Sequence, residues 1–76
     1  TLRAGRNVIR IDNAGTWPGF VDVERVSRRA GRTELVASSA DQSVGTSMWL
    51  QTTLEAGVYV LRDGTTGSVT DRLAVA

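Results

Sequence analysis

Apolar and polar positions alternate along this chain with a period of two, in short runs separated by glycine-containing turns. The first run, Arg6 to Asp12, sets Ile9 and Ile11 on one face and Val8 and Arg10 on the other. That alternation is the pattern of a half-buried β-strand. Asn13-Ala14-Gly15 and Trp17-Pro18-Gly19 then break it: Pro18 fixes φ for a turn, and Gly19 is expected to accept positive φ after it. A second run, Phe20 to Val26, places Val21 and Val23 on one face and Val26 on the other. This predicts a bulge or a change of partner near Glu24 and Arg25. Thr33 to Ala37 is the third run, reached through Arg28-Arg29-Ala30-Gly31, a hairpin connection with Gly31 near the positive-φ position.

Ser38 to Thr46 is polar and small, and predicts a longer connection that crosses between sheets. In the fourth run, Ser47 to Leu54, the side chains of Met48, Leu50 and Leu54 share a face while Trp49 takes the other. Gly57 to Arg62 and Asp71 to Ala76 complete the set, joined through Asp63-Gly64-Thr65-Thr66-Gly67. The best helical stretch, Val36 to Asp41, carries Ser and Asp that compete for backbone hydrogen bonds, and amounts to no more than a turn. The expected fold is all-β, a small Greek-key β-sandwich of about six to seven strands.

One passage occurs twice. TLRAGRNVIR at the start returns as TLEAGVYVLR from Thr53, with Leu2/Leu54, Ala4/Ala56, Gly5/Gly57, Val8/Val60 and Arg10/Arg62 among the identities. Too little chain follows Thr53 for a second full unit, so the repeat reads as one local device used at two strand entrances. In the second copy, Leu54-x-x-Gly57-x-Tyr59 resembles a tyrosine corner. There a tyrosine packs its ring on the core and sends its hydroxyl back to the turn. The first copy has Asn7 where Tyr59 stands, and is not expected to lock in that way.

The order LxAGxxxxRIDNAG, VDVERV, SMWLQTTLEAGVYVLRD, LAVA resembles the later part of cupredoxin-like domains. Those carry AG-x-x-x-F-x-V-x-N-x-G and then L-x-PG-x-Y-x-x-x-C. Asn13 and Gly15 match the end of the first pattern, and Leu54, Gly57 and Tyr59 match the second. The resemblance implies a Greek-key sandwich. It also implies a lost copper site: Asp63 falls near the cysteine position, histidine is absent, and Met48 lies on a different strand from the family's methionine.

Composition narrows the chemistry further. The 76 residues form one expected domain, 1–76, with no cysteine and no histidine. Disulfides, thiolate chemistry and imidazole bases are therefore excluded. All nine basic residues are arginine; with eight acidic residues the net charge is +1, which gives no reason to expect nucleic acid. No apolar run approaches the ~20 residues of a membrane helix, so no membrane insertion is expected. The chain opens on Thr1 rather than methionine, and a domain this small buries only about 60% of its unfolded surface. It therefore reads as a module or fragment of a larger protein.

Serines lack any His or Lys to activate them, so no catalytic residues and no cofactor are expected. Asp12, Asn13, Asp22, Asp63 and Asp71 are the candidate oxygen ligands for calcium, although the same residues are good turn formers. Trp17, Phe20 and Trp49 are candidate partner contacts, with Arg28, Arg29 and Arg32 around one hairpin. The expectation is a non-enzymatic structural or protein-interaction module, extracellular or part of a surface-exposed assembly such as a virus-like shell, with a protein partner or self-assembly. The alternatives are a carbohydrate-binding module stacking sugars on Trp17 and Trp49, and a cupredoxin-like domain without copper.

Overall fold

The structure is a computed structural model and describes residues 2–27 and 31–76. Its strands are β1 (Gly5–Asp12), β2 (Val21–Val26), β3 (Thr33–Ser38), β4 (Ser47–Leu54), β5 (Gly57–Asp63) and β6 (Val69–Val75). Among the described residues there is no helix, and hence none long and apolar enough to cross a membrane. The strands form two antiparallel sheets, a four-stranded one ordered β3-β2-β5-β6 and a two-stranded ribbon of β1 and β4. The chain passes from ribbon to sheet after β1, back after β3, and across again after β4. Leu2 adds a short parallel bridge to Val75 at the outer edge of β6.

The core lies between the two layers. Val23, Tyr59, Leu61 and Val75 from the sheet meet Leu54 from the ribbon, and Leu2, Ile9, Val21, Ala37, Leu50 and Leu73 pack around them. In β1 and β4 this is the period-two logic of the sequence made solid, with alternate residues turned to the core and the others outward, whereas β3 contributes only Ala37. β5 departs from that alternation. It is central, and its outward-facing Val60 is only 3% exposed. Glu24 and Arg72 flank Val60 in register, and Arg62 reaches over the same face to pair with Glu24 at 3.1 Å. The aliphatic stems of such side chains shield apolar surface while their charged ends stay in water.

The two copies of the repeated passage open β1 and β5. Gly5 and Gly57 both have positive φ, 117° and 156°, a conformation that side chains disfavour. Each is followed by a side chain that bonds back to the turn. The Tyr59 hydroxyl donates to the Glu55 carbonyl at 2.8 Å, and Asn7 Nδ2 donates to the Arg3 carbonyl at 2.9 Å. Asn7 therefore makes the bond that the sequence reading withheld from it, because its amide reaches from the strand wall what tyrosine reaches from the core. Arg25 adds a second tie at the β4–β5 corner, donating to the Ala56 carbonyl and pairing with Glu55, both at 2.9 Å.

The bulge expected near Glu24 is present, although its extra residue lies on the neighbouring strand, and the expectation for Gly19 is corrected. The irregularity along β2 is a register shift between Val23 and Glu24, and the extra residue, Val36, lies on β3. Gly19 does not take positive φ. It is drawn extended by exchanging backbone bonds with Gln42, whereas Gly31, in the hairpin, does adopt positive φ.

Candidate functional site

The loop between β1 and β2, residues 13–20, closes over one end of the sandwich and leaves an open cleft of about 600 Å³. Its walls come from the end of β1, this loop, Gln42 and the β5–β6 hairpin. Asn13 organises the loop. Its amide nitrogen donates to the carbonyls of Trp17 at 3.1 Å and Gln42 at 2.9 Å, while its oxygen accepts from the Gly15 N–H. Gln42 is buried, and its side chain donates to Ile11 at 2.9 Å and Thr46 at 2.6 Å, tying the β3–β4 connection to the ends of both ribbon strands. Ser39 completes the tie by accepting the Val21 N–H at 2.8 Å.

The candidate contact residues take different places. Trp17 stands at the cleft, 77% exposed. Phe20 also lines the cleft but is half-buried, and its ring lies so close over Gly64 that no Cβ fits there. Trp49 lies on the outer face of the ribbon, 64% exposed, with the Arg10 guanidinium 5.8 Å from its ring centroid. Arg32 is exposed at the far end of β2, where its carbonyl accepts the Ser27 N–H. Arg28 and Arg29 lie outside the described residues. Leu54, Gly57 and Tyr59 sit together at the β4–β5 corner, with Leu54 and Tyr59 each about 1% exposed. The structure thus brings Trp17 and Phe20 to one cleft, and sets Arg32 and the corner at the opposite end.

Four aspartates accept hydrogen bonds from groups around them. Asp63 accepts the N–H groups of Thr65 and Thr66, which holds its own turn. Asp22 accepts from Ser38, and Asp71 from the Arg72 N–H. Asp12 accepts from the Ser47 hydroxyl and pairs with Arg10 at 3.0 Å. Those contacts, the Ser47 hydrogen bond foremost, hold its carboxyl below the ordinary value of 3.8. Although Asp12, Asn13, Asp63 and Asp71 all line the cleft, no three acidic side chains converge on a metal-sized point among the described residues.

Sequence reasoning missed Gln42, Ser39 and Arg25. Gln42 had a weak signal, being the one long polar side chain in a stretch of small residues. Arg25 had none, because its partner carbonyl belongs to a turn far along the chain. In comparisons with known proteins, no family model, curated protein or solved structure matches this chain.

Proposed function

We propose that this chain is a non-catalytic structural or protein-interaction module, an accessory domain of an extracellular protein or a subunit of an assembly, and that the β1–β4 ribbon is its contact surface. The carrying observation is the outer face of that ribbon. Trp49 and Val8 stand open there, 64% and 52% exposed, with Arg10 beside the indole and the outer edges of both strands unpaired among the described residues. A partly exposed indole next to an arginine is the composition of an interface anchor. The absence of His, Cys and Lys from the sequence, and the engagement of Asp12, Asp22, Asp63, Glu24 and Glu55, support the non-catalytic part. As part of the same proposal, the fold is a cupredoxin-like Greek key in which Asp63 holds a turn near the position of the family's copper-binding cysteine.

Photo-cross-linking tests the reading. A benzophenone amino acid placed at Val8 or Trp49 in the intact parent protein is expected to yield discrete cross-linked polypeptides. Absence of any adduct at both positions, with incorporation and photolysis of the benzophenone verified by mass spectrometry, would falsify it.

A second reading has its own observation: Trp17 presents its indole at the edge of a cleft that also carries Asp63, Asp71, Thr65 and Thr66. Sugar rings stack on such a platform. With Trp49 replaced by Phe, Trp17 is the sole indole, and its emission should shift on titration with a polysaccharide that binds. Emission unmoved by a broad panel of glycans removes this reading.

A further inference from the structure

The open edges of the sandwich are not alike. β3 is short, carries Glu34 and is bulged at Val36. The outer edge of β6 is covered by Leu2 to Ala4, which bond to Ala74 and Ala76. β1 carries Arg6, Arg10 and Asp12 along its length. Short strands, bulges, charges and covering segments are the devices by which proteins prevent edge-to-edge pairing. β4 has none of them. Its eight residues, SMWLQTTL, contain no charge, proline or glycine, and they pair with β1 in unbroken register. Among the described residues nothing pairs with its outer edge.

The area exposed points the same way. A compact monomer of 8.1 kDa is expected to expose about 4,500 Å². This chain exposes 5360 Å². The excess of about 900 Å² is close to the ~800 Å² that each partner of a standard interface removes from water.

We propose that β4 pairs antiparallel with β4 of a second copy across a two-fold axis, so that the two ribbons join into one four-stranded sheet, β1-β4-β4′-β1′. The inference rests on the reading of the ribbon as a contact surface and names its occupant. An uncharged strand is suited to meeting itself, because a two-fold axis places identical residues near one another and any charge there would repel its own copy. In-to-in pairing requires an axis centred on a residue, and an axis at Leu50 or at Gln51, in the middle of β4, keeps the longest overlap. The first sets Leu50 against Leu50 in the core and Trp49 against Gln51 outside; the second sets Leu50 against Thr52 and Trp49 against Thr53. In both registers the two Gln51 side chains lie opposite or diagonal, within about 8 Å.

Gln51 is exposed on the outer face, so a charge there leaves the monomer fold alone. Sedimentation velocity at micromolar to millimolar concentration should show a dimer for the wild type, and monomers for Q51K and for Q51E at unchanged circular dichroism. An equimolar mixture of Q51K and Q51E should dimerise again. A wild type that stays monomeric across the range overturns the proposal, as does a dimer that ignores both substitutions. Cross-linking from Val8 or Trp49 to a different polypeptide, with the wild type monomeric, overturns self-pairing and keeps the interaction reading. No cross-link and no dimer removes both.

Discussion

Asn7 and Tyr59 stand at equivalent places in two different sheets, and each donates to the backbone carbonyl four residues before it. One bond is exposed to water at a strand entrance and the other is part-buried at the edge of the core. The repeated passage is therefore a repeated hydrogen bond, made by two unlike side chains. Tyr59→Phe keeps the ring and loses the donor, and is expected to cost about 1 kcal/mol. Asn7→Ala should cost about 0.5 kcal/mol, because its carbonyl partner is open to water. Urea unfolding of both variants measures this; a Tyr59→Phe protein as stable as wild type would show that the bond contributes nothing.

Gly64 is fixed by the ring above it rather than by its backbone angle. Gly64→Ala sets a methyl group against Phe20 and should destabilise by about 1–3 kcal/mol, the usual cost of overpacking. Phe20→Leu in the same chain should recover part of that loss. A double-mutant cycle with no coupling between the two positions contradicts the packing described.

Gln42 supplies donors to two carbonyls that close the cleft end of the ribbon. Gln42→Leu preserves bulk and removes both donors. The expected loss is about 1–3 kcal/mol, and amide exchange should quicken at Asn13 and Gly45, whose backbone bonds lie beside it. Unchanged exchange at those amides would place the anchor elsewhere.

Asp12 should titrate below 3.8, because the Ser47 hydroxyl and then Arg10 favour its charged form. A carboxyl whose folded value is depressed contributes stability above the unfolded value and loses it as pH falls through the folded one. The contribution of Asp12 is therefore intact at neutral pH, begins to fall as pH drops toward 3.8, and is gone only below its lower folded value. Ser47→Ala should bring its titration back toward 3.8, as followed by carboxyl carbon shifts in NMR. A midpoint that does not move in Ser47→Ala assigns the shift to another group.

The ribbon strands were legible because each turns one face to the core, and alternation is the direct imprint of that, whereas the exposed β3 was legible from its β-rich run between turns. Ser47 to Leu54 is read from its Met48, Leu50 and Leu54 face with the same bounds that the structure gives. The all-β, two-layer architecture followed from such runs and their turns. What the sequence hid depends on contacts distant in the chain. Whether Trp49 faced core or solvent turned on which layer covers the ribbon, and alternation alone cannot say. Val36 as the extra residue of a bulge is decided by its neighbour strand, since its own run looks regular. Gln42 and Arg25 act on carbonyls, which carry no side-chain signature at all. Phe20 and Trp17, adjacent to one turn and equal as candidates, separate only once Gly64 is seen to seat one ring and nothing seats the other.

Leu2 to Ala4 lie alongside Ala74 to Ala76, running in the same direction and joined by three backbone hydrogen bonds of 2.8–2.9 Å. A tension applied between Leu2 and Ala76 pulls one segment backward and the other forward along a shared axis. The bonds between them are then loaded together, in shear, instead of being peeled one by one. The seam that joins the first and last described segments thus acts as a mechanical clamp, and single-molecule pulling on these residues should meet its main resistance there before β6 detaches from β5.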